Sequence, residues 1–441
     1  MTTGGTTPTG GSSMPTGGSS FGGIANPTGG ATTGGAPSNG GATGGAASPG
    51  GAATGGVATP AGGGGGATGG VPAMGGKNAG GGGATAGGGG ATTGGASGGA
   101  TSNTMGPCDI YEAASTPCVG AYSTIRRIRA AYTGPLFQVR SGSNAMNTGS
   151  GGMTHDIAQD ADGFALWSAI SAVCANTTCT VSLLYDQSGK GNNLPVAKKG
   201  LTNGGQWAGM DDFETVVNSK GQLNVGGRSV WSLYMAERQG YRQTKEGAGV
   251  PLGKAPQGLY MLADGTHAGT ACCWDFGNVS PDPTRYGVMN TLFFGKAFWG
   301  RGAGGEDANP WFMADFEAGV WAGGTKAGDP GWGALEGAHP PNPNNPSMKG
   351  VKFALGFLKT NQTDWALRMA DTSTATTIAT AYKGGLPKAM ANEGAIVLGV
   401  GGDNSNNSWG TFYEGAVLAG FPTDDAELAV LQNIKALGYG K

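Results

Sequence analysis

Two carboxylic acids sit one residue apart in Trp311-Phe312-Met313-Ala314-Asp315-Phe316-Glu317-Ala318-Gly319-Val320-Trp321. Side chains alternate between faces along a β-strand, so the spacing predicts Asp315 and Glu317 together on one face, with Ala314 and Phe316 on the other. Paired carboxyl groups can supply a nucleophile and an acid or base, provided one is charged and the other protonated. A strand whose acids simply face water fits the same residues. Flanking aromatic residues and Gly-rich stretches favour the floor of a polar cleft.

A further acid, Asp403, follows the apolar run Ala395-Ile396-Val397-Leu398-Gly399-Val400 in Gly401-Gly402-Asp403-Asn404-Ser405-Asn406. Paired glycines let backbone approach a ligand closely, although the same residues also spell an ordinary turn. In Gly265-Thr266-His267-Ala268-Gly269-Thr270-Ala271-Cys272-Cys273-Trp274-Asp275, a disulfide between the adjacent cysteines would close a tight ring with a rigid apolar sulfur surface. Two reduced, buried thiols are the alternative. Trp274, Phe298, Trp299, Trp311, Trp321 and Trp409 supply faces that stack on sugar C–H surfaces or fill a core. With no cofactor loop, metal-ligand spacing or Ser-His-Asp order, the acids and aromatics together point to carbohydrate chemistry.

The elements that must position these groups begin only after a long low-complexity segment. Residues 1–105 are Gly, Ala, Thr and Ser in irregular ATGG and TTGG repeats, with Lys77 the only charge and Phe21 the only aromatic. Such a segment buries too little apolar surface to offset chain entropy and is expected to be a disordered linker. Residues 106–441 carry all 6 Cys and all 10 Trp, enough chain for one large core. The Cys fall into close pairs, Cys108 with Cys118, Cys174 with Cys179, and Cys272 with Cys273, which suits disulfides and an oxidising compartment. Zinc would need partners that the scattered His155, His267 and His339 and the missing C-x-x-C pairs do not offer.

The net charge of −2, without a basic stripe, argues against nucleic acid or an anionic membrane as partner, and no apolar run is long enough to span a bilayer. No basic and apolar leader precedes the repeats, so the natural start is expected to lie upstream. Short helices are expected over 123–132, capped by Ser123, and over 161–175. Strands are expected at 136–140, 180–185, 258–262, 291–294, 351–358, 365–369 and 395–400, with 360–363 turning a hairpin. A last helix should start in a capping box of Asp424 and Glu427 and end at Gly438. Short strands punctuated by Gly, Asn, Pro and Asp predict two packed antiparallel sheets.

Several motifs together resemble the catalytic domain of glycoside hydrolase family 54, which comprises secreted α-L-arabinofuranosidases. They are Gly106-Pro107-Cys108-Asp109-Ile110-Tyr111-Glu112-Ala113, Cys174-Ala175-Asn176-Thr177-Thr178-Cys179, Tyr185-Asp186-Gln187-Ser188-Gly189, Asp264-Gly265-Thr266-His267, Ala271-Cys272-Cys273, the Asp403 loop and Gly410-Thr411-Phe412-Tyr413-Glu414-Gly415. The resemblance implies an all-β, two-sheet antiparallel sandwich of the concanavalin-like or jelly-roll kind, three local disulfides and a retaining mechanism. By motif position it makes Glu317 the nucleophile and Asp403 the acid/base. Asp315 would hold a sugar hydroxyl, Trp299 would line the subsite, the Cys272–Cys273 ring would pack on the furanose, and Gly402 and Asn404 would complete the substrate contacts.

The implied protein is an extracellular, monomeric exo-glycosidase acting on plant cell-wall arabinan or arabinoxylan without metal or cofactor. A binding protein without turnover, or a glycosidase shifted to galactofuranose or xylose, is the alternative. Ala318 and Gly319 stand where the family has two asparagines, and the 299–311 loop is longer than the family pattern. The family's C-terminal arabinose-binding module is not matched by any part of the sequence.

Overall fold

The computed structural model describes residues 105–201, 210–285, 288–296, 306–316, 319–325, 341–387 and 391–439. The expected linker, Phe298, Trp299, Glu317 and Ala318 lie outside the described residues. Two antiparallel sheets form the body. The 7-stranded sheet runs Cys118–Ser123, Gly410–Ala419, Gln257–Ala268, Ala354–Thr360, Asp364–Asp371, Ala379–Gly385, with Leu233–Met235 added beside Gly410–Ala419. The 6-stranded sheet runs Tyr241–Arg242, Ala395–Leu398, Asp275–Val279, Met289–Gly295, Trp311–Phe316, Val320–Trp321.

Alternation explains why these strands pack face to face. In Gln257–Ala268, Leu259, Met261 and Ala263 enter the same cluster as Phe276, Leu292, Phe294, Phe312, Ala314, Phe316, Ile396 and Leu398 of the second sheet. The intervening Tyr260 and Leu262 face outward, against Val430, Leu431 and Ile434 of the C-terminal helix Asp424–Leu437. A smaller sheet, Met153–Ile157, Phe137–Ser141, Cys179–Leu184, Leu194–Pro195, contributes Phe137, Val139 and Val181 to the inner core. The disulfides Cys108–Cys118, Cys174–Cys179 and Cys272–Cys273 pair as the spacing suggests.

Local readings needed three revisions. No helix forms over 123–132: Ser123 Oγ does accept from the amides of Ile125 (3.0 Å) and Arg126 (3.2 Å). The backbone then pairs instead with 163–165, through Arg127 N to Gly163 O (2.6 Å) and Ala165 N to Ile125 O (2.9 Å). That pairing also shortens the second helix to Trp167–Val173. The last helix is capped by Thr423, whose side chain accepts from Ala426 N, while Asp424 pairs with Lys359 Nζ at 2.6 Å.

The acid-bearing stretch is not one strand. It stops at Phe316, whose amide donates to Gly319 O (2.8 Å), and Val320 returns opposite Asp315. Alternation therefore holds for Ala314, Asp315 and Phe316, and Glu317 lies outside the described residues.

Candidate active site

Asp315 lies on the outer face of the second sheet, directly across from Thr291, and is only 3% exposed. Phe293, Trp311, Met313, Val320 and Cys273 pack on this face around it. A carboxyl held there has a rigid floor, because its strand is bonded on both sides.

The disulfide ring closes one side. Cys273 Sγ is 3.8 Å from Asp315 Oδ2, and Cys272 Sγ is 3.7 Å from Ser405 Oγ. Cys273 N donates to Ser405 O (3.3 Å) and Asn407 N to Cys272 O (3.2 Å), so the ring is stitched to the loop that carries Asp403. The two sulfurs and Asp315 lie within 4.8 Å of one another. Sulfurs bonded to each other are not thiolates, so this grouping offers an apolar surface beside a carboxyl group and not a soft metal-ligand set.

The Asp403 loop is tightly folded: Gly401 N donates to Ser405 O (2.9 Å) and Asn404 N to Gly401 O (3.0 Å). Asp403, 5% exposed, accepts at Oδ1 from Ser405 N (3.0 Å). Arg242 reaches under the loop and donates to the carbonyls of Gly402 (2.6 Å) and Gly401 (3.3 Å) and to Ser280 O. Burial lowers the Arg242 pKa to about 10 against the opposing charge of Asp403. Asn404 takes a left-handed backbone (φ 63°), a conformation asparagine tolerates, and its side chain turns to Asp212.

Sequence reasoning missed two further acids. Asp275 lies two residues beyond Cys273 on the same outer face and is fully buried. Thr291 and Asp315 are its side-chain hydrogen-bonding neighbours. Burial, and then the charges of Asp315 and Asp403, push its pKa well above the usual carboxyl range. Alternation from the sulfur ring could have flagged it. Asp212 is also fully buried, with a pKa raised by burial to about 7, and accepts from Asn404 Nδ2 (3.2 Å) and Asn406 Nδ2 (2.5 Å). It stands 192 residues before Asn404, too far for any local pattern to reveal it.

Aromatic supply is smaller than the sequence suggested. Trp274 and Trp311 are fully buried and Trp321 nearly so; all three fill cores. Trp409 is half-buried. Asp315, Asp403, Cys272 and Cys273 are thus brought together, whereas Gly402 and Asn404 direct their polar groups to Arg242 and Asp212.

The family model described as "Alpha-L-arabinofuranosidase B, catalytic" matches residues 107–440. The chain belongs to this family. The probable α-L-arabinofuranosidase B of Aspergillus fumigatus is 38% identical over 343 residues, covering 76% of this chain and 62% of that relative. The arabinofuranosidase/B-xylosidase of Trichoderma koningii is 37% identical over 345 residues, 76% of this chain and 63% of its own length. The chain therefore spans less than two thirds of these relatives. A crystal structure of an arabinofuranosidase complexed with arabinofuranosyl-α-1,2-xylobiose superposes with a TM-score of 0.66 at 36% identity, covering 76% of this chain and 66% of that one. The family match starts at Pro107, the first residue of the first described helix.

Proposed function

We propose that residues 106–441 form a secreted, retaining exo-α-L-arabinofuranosidase that removes terminal arabinofuranosyl groups from arabinan or arabinoxylan side chains. The observation that carries this is the convergence of Asp315, the Cys272–Cys273 sulfur surface and the Asp403 loop on one outer sheet face of a family member. The flat sulfur surface suits the C–H face of a furanose, and Asp315 beside it suits a ring hydroxyl.

Glu317 attacks the anomeric carbon while Asp403 gives its proton to the leaving oxygen. Asp403, now a base, then takes a proton from the water that frees the sugar. Trp299 lines the same subsite. Three disulfides fit export to an oxidising space, and residues 1–105 serve as a tether.

Incubation with 4-nitrophenyl α-L-arabinofuranoside, with the first-formed anomer followed by NMR, tests the reading. Retention of configuration in the parent and a Glu317→Gln variant without turnover are expected. An inverted first product or an active Glu317→Gln protein would refute the mechanism, and sugar binding without release would make this a binding protein. Because one relative is named as both arabinofuranosidase and xylosidase, the aryl β-D-xyloside belongs in the same assay, and faster cleavage of it would reassign the substrate.

A further inference from the structure

The loop that presents Asp403 is gripped from two sides. Arg242 takes the carbonyls of Gly401 and Gly402 just before the acid. Asp212 takes the side chains of Asn404 and Asn406 just after it, both at Oδ1. Asp212 is itself fixed by a backbone ladder: its amide donates to Ala197 O (3.0 Å), Phe213 N to Arg238 O (2.7 Å), and Arg238 N to Asn406 O (2.9 Å). Gly240 leaves room for the carboxyl, since a Cβ there would lie 2.8 Å from Asp212 Oδ2. The asparagines that look like sugar contacts in Gly-Gly-Asp-Asn-Ser-Asn are therefore spent inward on one buried acceptor.

We infer that Asp212 is the positioning residue of the acid/base: through Asn404 and Asn406 it sets the direction in which Asp403 meets the glycosidic oxygen. The inference rests on the proposed arabinofuranosidase reading. Asp212 touches no reacting atom and acts through the loop. Residues on both sides of Asp403 are held by buried groups, the Arg242 guanidinium and the Asp212 carboxyl, so releasing one grip lets the acid swing while the other keeps the loop attached. Proton donation, which needs the acid aligned with the leaving oxygen, is the step most exposed to this loss.

That step can be read separately from folding and sugar binding. A poor leaving group such as phenol needs protonation, whereas 2,4-dinitrophenolate departs largely without it, and kcat/KM reports the first, bond-breaking half of the reaction. Asp212→Ala should lower kcat/KM for phenyl α-L-arabinofuranoside by about 10-fold or more, while the dinitrophenyl glycoside falls by about 3-fold at most. Asp212→Asn keeps an oxygen that can accept from both asparagines, so it should restore the phenyl value to within about 3-fold of the parent. If Asp212→Ala does not fold, as judged by thermal melting, Asn406→Ala removes the shorter bond and should show the same leaving-group bias. Equal losses on both glycosides, or no loss on either, would overturn the inference. A parent protein that cleaves neither glycoside would instead bring down the arabinofuranosidase reading on which it rests.

Discussion

Cys273 Sγ and Asp315 Oδ2 lie 3.8 Å apart, so a disulfide between adjacent residues and a carboxyl group share one wall of the site. If the sulfurs carry the furanose face, their loss should weaken binding more than chemistry. Replacing both Cys272 and Cys273 by Ala removes apolar contact worth ~1–2 kcal/mol, so KM for an aryl arabinofuranoside should rise about 10-fold with a smaller fall in kcat. Steady-state kinetics would show this, and an unchanged KM would take the ring out of the sugar site.

Gly402 is small because backbone, not a ligand, crowds it. A Cβ there would lie 2.7 Å from Val288 O and 3.0 Å from Met289 Cε. Gly402→Ala must push the loop away from Val288 and carry Asp403 with it. We expect kcat/KM to fall about 100-fold, with a thermal midpoint lowered by only a few degrees, on the order of 2–4 °C. A large loss of stability at full specific activity would contradict that account.

Asp212 and Asp275 tie stability to pH in the same direction. Both have folded pKa values above their unfolded ones, so each favours the native state fully below an unfolded pKa near ~4. That contribution is lost as pH rises towards the folded value, about 7 for Asp212 and well above the usual carboxyl range for Asp275. Thermal melting between pH 4 and 8 should therefore show stability draining away through these two groups. Asp275→Asn, an isostere of the protonated acid, should flatten the decline. If parent and variant midpoints run parallel across that range, Asp275 is ionised in the fold.

These two acids also mark what the sequence could and could not tell. The sandwich was legible because strands such as Gln257–Ala268 alternate core and outer residues for many positions, and the disulfides because each pair is local. Asp315 was legible by the same alternation. The strand end at Phe316 was not, since acids one apart look identical in a continued strand and at its end. The helix expected over 123–132 failed because its apolar spacing also suits a bridged loop, and tertiary pairing with 163–165 decided between them. Asp212 and Arg242 are invisible locally: their roles come from groups more than a hundred residues away. The aromatic count misled because Trp274, Trp311 and Trp321 serve the cores.

On the far face of the larger sheet, Arg126 donates from Nε and Nη2 to both oxygens of Glu414 (2.6 and 2.8 Å), with Asn433 and Tyr439 completing the network. Arg126→Met leaves the Glu414 carboxylate buried without its cation, at a cost of about 3–5 kcal/mol. Chemical denaturation should show the loss, while KM of the folded fraction stays at the parent value because this pair faces away from Asp315. A KM change would mean that the two outer faces are coupled.

Four Asn-x-Ser/Thr sequons differ sharply in what their side-chain nitrogens are doing: Asn176, Asn278, Asn361 and Asn406. Asn278 Nδ2 donates to Pro251 O (2.8 Å) and Asn406 Nδ2 to Asp212 (2.5 Å), both in residues only 1% exposed. A glycan on either would have to displace a buried bond, and at Asn406 it would tear the Asp403 loop from its anchor. Asn361 is half-buried and uses its oxygen to cap the 360–363 turn, accepting from Thr363 N (2.8 Å) and Asp364 N (2.8 Å), which leaves its nitrogen outside those bonds. Asn176 sits exposed, with φ 59°, in the loop closed by Cys174 and Cys179. After passage through a glycosylating secretory pathway, peptide mapping of the folded product should find full occupancy at Asn176, partial occupancy at Asn361 and none at Asn278 or Asn406. A glycan on Asn406 in active enzyme would break the link drawn between Asp212 and the acid/base loop.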